Sequence, residues 1–207
     1  MGRHGWVDES ELHHHVTEPL YLMCAVVVSD LDAEKAREAL APLASPRSGK
    51  LHWRELENDR ERADALRAAL DLIEGHDAEI IVSRRSLRDR KASSARHDCL
   101  KYLLWNLENT GLQPVSHAVL ESRDPKADQR EIQFVNQLRR SHVISGSFRC
   151  DYMRGAAEPR LWLPDMALGA FSWRRQQRVS SSAPLMDAIN EMNELIRFAG
   201  SHDGPHR

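Results

Sequence analysis

Gly5-Trp6-Val7-Asp8-Glu9-Ser10 is a short apolar run that stops on an acidic pair. Trp6 and Val7 suit a strand, and Asp8 and Glu9 would sit where that strand leaves its sheet. A carboxylate at the end of a central strand is well placed to hold a metal ion. Asp-Glu-Ser is equally an ordinary strand-to-loop exit, so the reading depends on what the rest of the chain places beside it.

Working outward, Glu11 to Glu18 is polar and reads as a loop or hairpin connection. Leu20 to Val28 is continuously apolar and β-branched at its end, the pattern of a strand buried on both faces. Two more such runs follow, at 78–83 and 115–120. Between and after the strands come helical patterns. Asp30 or Asp32 can cap a helix over Ala33 to Leu43. A helix from about Asn58 to Glu74 puts Ala63, Leu66, Leu70 and Ile73 on one face, with Gly75 as its stop. Another, from about Ala95 to Asn109, carries a leucine stripe at 100, 103, 104 and 107 and ends by Gly111. A helix from about Lys126 to Ser141 would turn Ile132, Val135 and Leu138 inward. Residues 143–152 fit one or two short strands. Pro164 suits the first turn of a helix that would place Asp165, Gly169 and Ser172 on one small-residue face. The last helix would run from Leu185 to Ala199, before a polar, frayed tail from about Gly200. Strands alternating with helices over 207 residues, with no repeat and no linker of domain scale, predict a single α/β domain over residues 1–207, a mixed β-sheet flanked by helices.

Composition narrows the function. Hydrophobic content is 41%, charged content 29% and net charge −2, so no global basicity points to nucleic acid and any such binding must come from local patches. Cys24, Cys99 and Cys150 are too few and scattered for a disulfide framework and fit reduced thiols, hence a cytoplasmic setting. There is no CxxC pair, no signal-type segment and no run long enough to span a membrane. His13, His14 and His15 could touch a metal or lie in a solvated loop.

Three acids share one pattern. Asp8 and Glu121 each close an apolar strand, and Asp165 begins a helix just after an apolar triplet. Carboxylates gathered at one end of a sheet repel one another unless a cation neutralises them. Mg²⁺ and Mn²⁺ prefer oxygen ligands, and two such ions can clamp the attacking and leaving oxygens of a phosphodiester displacement.

Val7-Asp8-Glu9-Ser10, Leu51-His52-Trp53-Arg54-Glu55-Leu56, Leu120-Glu121-Ser122-Arg123 and Leu163-Pro164-Asp165-Met166-Ala167-Leu168-Gly169-Ala170 resemble, in that order, the domain-of-unknown-function 3800 family of bacteria and phages. The likeness spans Trp6 to about Trp173. It implies a ribonuclease H-like fold and a metal-dependent nuclease. It matches Asp8, Glu121 and Asp165 to the family's acids and His52 to its His-Trp-like segment. The sequence departs from the family at Glu11, where a glycine is usual, and at Pro164, where an alanine usually precedes the late acid.

The candidate catalytic residues are therefore Asp8, Glu121, Asp165 and His52, and the candidate metal ligands Asp8, Glu9, Glu55, Glu121 and Asp165, holding Mg²⁺ or Mn²⁺. His52 could orient a phosphate or water, move a proton, or simply pack beside Trp53. Glu55 could be a further ligand or pair at the start of the next helix. Arg123 could pair with Glu121 or meet a scissile phosphate, and Lys101 should be exposed. The basic run Arg84 to Lys91 could track a nucleic-acid backbone or be a solvated face. Asp165→Asn should leave the metal-free fold level or more stable by relieving repulsion. A hydrolase of small phosphorylated molecules could use the same metals, and a non-catalytic interaction module built on a nuclease fold is the rival from another class.

Overall fold

Strand β2, Leu20–Val28, is the nine-residue apolar run, and every residue of it is buried. Such a strand needs neighbours on both edges and cover on both faces. In this computed structural model it has both, over described residues 3–29, 31–74, 76, 78–110, 114–178 and 180–199. Asp30 as a cap, Gly75 and Gly111 as helix stops and the tail from Gly200 lie outside them.

The remaining strands are β1 (His4–Leu12), β3 (Glu79–Ser86), β4 (His117–Glu121), β5 (Arg149–Met153) and β6 (Ile196–Phe198). They join β2 in one mixed sheet of order β5-β4-β1-β2-β3-β6. β2 runs antiparallel to β1 and β3, while the β1–β4, β4–β5 and β3–β6 pairs are parallel. The helices are α1 (Ala33–Leu40), α2 (Asp59–Glu74), α3 (Ala92–Asn109), α4 (Pro125–Arg140), α5 (Trp162–Arg175) and α6 (Ala183–Glu194). One apolar layer unites Trp6, Leu22, Val26, Ile80 and Val82 with α1, α2, α5 and α6. The other unites Val7, Met23, Ala25, Ile81 and Leu120 with α3 and α4. Strand alternation sends successive side chains to these two layers.

The expected strands at 20–28, 78–83 and 115–120 are present, the first with the expected ends and the other two with ends shifted by up to three residues. Three expectations are corrected. β1 does not stop at Asp8: it continues to Leu12, because the antiparallel hairpin pairs Asp8 with Cys24 and Leu12 with Leu20. Its parallel partner β4 pairs only with Gly5 to Val7. Asp8 thus sits where β1 outruns β4. In α4, Glu131 is buried and Ile132 exposed, the reverse of the apolar expectation, because an arginine of α3 waits for Glu131. The last helix ends at Glu194, and Ile196–Phe198 pairs with Ile80 to Val82, since the open edge of β3 offers backbone partners that a helix would leave unused. Residues 143–152 hold one short strand, as expected, beginning at Arg149.

Candidate active site

Asp8, Glu121 and Asp165 come from β1, β4 and α5, and all three line one open cleft of about 610 Å³ beside Lys50 and His52. Asp8 and Glu121 share a face of the sheet with Trp6 and Val119, the face that α5 covers. α5 packs on β1 and β2 and is anchored by Leu163, Met166, Ala167 and Ala170, all buried, which fixes Asp165 at the cleft. Gly169, one turn beyond Asp165, matters for the same reason: a Cβ there would overlap the Trp53 ring. The small-residue face of α5 therefore admits a short turn, 53–55, which carries His52 and Trp53 to the acid. Gly155 does the equivalent service at Glu121, where a Cβ would overlap the carboxylate.

Each acid is held through one oxygen. Asp165 Oδ2 lies 2.8 Å from His52 Nδ1 and accepts the Trp53 backbone N–H at 2.7 Å. Glu121 Oε1 accepts from Lys50 Nζ at 2.7 Å, and Asp8 Oδ1 accepts the Glu9 N–H at 2.7 Å. Among the described residues the other oxygens, Asp8 Oδ2, Glu121 Oε2 and Asp165 Oδ1, accept no hydrogen bond.

The electrostatics follow from this crowding. Burial, then the Asp165 and Glu121 charges, push the Asp8 carboxyl well above its usual range, against the Glu9 N–H and the Lys50 ammonium. His52 is raised, chiefly by its bond to Asp165 and against burial. Burial opposes the Lys50 charge, but the Glu121 bond and the charges of Glu121, Asp8 and Asp165 outweigh it, and Lys50 is raised as well.

The donor set suits a hard divalent ion: three carboxylates from three elements, each with an oxygen to spare. It is not a finished cage. Among the described residues no three acid, imidazole or thiol groups are gathered closely enough to hold a metal as they stand. Lys50 and His52 occupy part of the carboxylates' bonding capacity instead.

Two expected ligands are placed elsewhere. Glu9 follows Asp8 by one residue, so its side chain leaves by the opposite face. There it pairs with Arg96 at 2.6 Å and Arg123 at 3.7 Å. Glu55 is exposed outside the cleft and accepts from Ser48 Oγ at 2.7 Å, a bond that lowers its pKa. Arg123 meets Glu9 and, at 3.9 Å, Glu131 rather than Glu121. Lys101 is half-buried, not exposed, beside the Tyr102 ring. His13 and His14 stay exposed on the cleft rim, with His13 on Glu11 at 2.8 Å.

The basic run is also occupied. Arg84 stacks 4.6 Å over Phe198 and Arg85 4.1 Å over Tyr102. Arg90 pairs with Asp98, and Arg88 reaches the Thr17 carbonyl. Lys50 was not legible as a site residue: it stands in a Pro-Ser-Gly loop with no acid close in sequence. Arg96 was legible in principle, because it falls on the leucine stripe of α3, four residues before Leu100, where a buried cation demands a buried anion.

No family model matches the sequence, and no curated protein matches it either. Comparison of structures does find likeness: ribonuclease H2 from Pyrococcus horikoshii OT3 superposes with a TM-score of 0.50, covering 93% of this chain and 99% of that one, at 8% identity. The chain has a ribonuclease H-like α/β fold. No helix among the described residues is long and apolar enough to cross a membrane.

Proposed function

We propose that this protein is a divalent-metal-dependent nuclease of the domain-of-unknown-function 3800 kind, hydrolysing phosphodiester bonds in the acid cleft. The observation that carries the proposal is the convergence of Asp8, Glu121 and Asp165, 157 residues apart end to end in sequence (165 − 8), on one cleft with an unclaimed oxygen each. Those three residues would hold Mg²⁺ or Mn²⁺, whose chemistry there is to acidify a bound water and neutralise phosphate charge. His52, fixed through Nδ1, keeps Nε2 as its remaining polar atom for a phosphate oxygen or a proton. Lys50 adds a positive charge beside Glu121 that can meet the anionic substrate. The position of Asp165 over the sheet keeps His52 and Trp53 in place.

One observation favours the rival reading, a non-catalytic interaction module: Lys50 already neutralises part of the acid cluster without a metal. Incubating the protein with labelled single- and double-stranded DNA and RNA in Mn²⁺ separates the two. The nuclease reading expects cleavage that EDTA and Asp8→Asn both abolish. Binding with no cleavage of any of the four substrates would leave the interaction module.

A further inference from the structure

We infer that a single polynucleotide strand reaches the acid cleft along the groove between the 53–55 turn and α5, held there by Arg54 and Arg178; the inference rests on the nuclease reading above. This groove, about 270 Å³, is continuous with the cleft, because Ser10, Arg54, Asp165 and Gln176 line both. Whatever phosphodiester lies at Asp165 has a neighbouring nucleotide that must leave by some path, and this one opens directly from that acid.

The lining suits a backbone of phosphates. Arg54 and Arg178 are exposed and, among the described residues, form no ion pair with a carboxylate. Arg178 lies 5.4 Å over the Trp173 ring, which restrains the guanidinium without neutralising it. Arg62 is wedged between Trp53 and Trp173, at 5.9 and 5.4 Å from their centres, and donates to the Leu56 carbonyl. It also pairs with Asp59 at 3.6 Å, so it lies beneath the groove as a partly neutralised charge. Gly169 and Ser172 keep the floor low, and Trp53 offers an apolar wall against which a base can pack. Among the described residues the acid lining the groove besides Asp165 is Glu11, whose carboxylate lies 2.8 Å from His13 Nε2. An acidic peptide could meet the same arginines, but it would have no use for the adjoining acid cleft, which repels carboxylates and suits a cation-bridged phosphate. The run Arg84 to Lys91 looks stronger in sequence, yet none of its residues lines the acid cleft or this groove.

The test reads binding apart from chemistry. Fluorescence anisotropy of a short labelled oligothymidylate, in EDTA and over a range of KCl, is measured on the full chain. Arg54→Ala/Arg178→Ala should weaken affinity about tenfold or more and reduce the salt slope by roughly 1.4, about 0.7 for each lost phosphate contact. Arg54→Lys/Arg178→Lys should restore most of that slope, and a thermal melt checks that each variant is folded. Arg84→Ala/Arg88→Ala should change little. An unchanged slope in the groove variant, or a larger loss in the Arg84/Arg88 variant, overturns the inference. So does competition by poly-glutamate as effective as that by unlabelled oligonucleotide, which would make the occupant an acidic protein. If the groove variant loses binding while wild type cleaves nothing in Mn²⁺, the groove stands and the nuclease reading falls. If wild type cleaves bis-(p-nitrophenyl) phosphate and the groove variant binds the strand as before, the chemistry stands and the groove falls.

Discussion

Lys50 and Glu121, 71 positions apart in sequence, meet as a 2.7 Å ion pair inside the acid cleft. The ammonium sits where three carboxylates would otherwise face one another with no cation between them. Lys50→Met should therefore destabilise the metal-free protein by about 1.5–3 kcal/mol, the range for a hydrogen bond to a charged group. It should also enlarge the rise in melting temperature on adding Mn²⁺, because the acids lose their internal counterion. Equal melting temperatures for variant and wild type in EDTA would mean the pair contributes nothing.

Asp8 carries the opposite sign. Its carboxyl is raised by burial and by Asp165 and Glu121, so the folded state binds its proton up to a higher pH than the unfolded state does. The stability this group contributes is greatest at low pH and declines as pH rises from the unfolded value, about 3.9, through the raised folded value. Asp8→Asn keeps Oδ1 to accept the Glu9 N–H and has no such penalty. In urea titrations without metal, the variant should gain on wild type as pH is raised from 4 to 8. A gap that stays constant with pH would show that Asp8 is not crowded by charge. With Mn²⁺ present, cleavage should be lost.

Asp165→Asn is expected to differ from the simple relief of repulsion that the sequence suggests. Asp165 Oδ2 holds both His52 and the Trp53 N–H, so the neutral amide weakens two contacts at once. The metal-free protein should lose about 1–3 kcal/mol at pH 6. His52 is raised in the folded state, so its contribution is fully present below the unfolded value of about 6.5 and fades as pH climbs through the folded one. An NMR titration should show the His52 ring titrating at lower pH in the variant than in wild type. Superimposable His52 curves would remove the Asp165–His52 bond from the account.

Gly169→Ala tests the docking of the 53–55 turn. The added Cβ overlaps the Trp53 ring, and the ring cannot retreat freely because Trp173 and Arg62 flank it. Overpacking of this kind costs about 1–3 kcal/mol. Tryptophan emission and urea denaturation should both shift; if neither does, Trp53 is not seated on α5.

Arg96→Ala should be the most damaging of these changes. Arg96 is buried between Glu9 and Glu131, and truncation leaves the more exposed Arg123 as the cation beside the two carboxylates. Loss of one partner from a buried ionic network costs about 3–5 kcal/mol. A smaller loss in Arg96→Ala/Glu131→Gln than in Arg96→Ala alone would identify the unpaired charge, rather than lost packing, as the cause.

By itself the sequence determined what is local. Leu20 to Val28 read as a doubly covered strand, Ala63, Leu66, Leu70 and Ile73 as the buried side of a helix, and Asp8, Glu121 and Asp165 stood out because each adjoins an apolar element. Tertiary structure decided what depends on distant partners. The hairpin with β2 carried β1 past Asp8, and strand parity then sent Glu9 to the α3 face, away from its neighbour. Arg96 made Glu131 a core residue, and the open edge of β3 turned Ile196–Phe198 from helix to strand. Gly169 admitted Trp53, and with it His52, while Glu55 was left in solvent on Ser48. Lys50 entered the acid cleft through the fold alone. Charge pairing and backbone pairing across the sheet act over distance in space, and a partner 71 residues away leaves no periodicity in the chain for a reader to find.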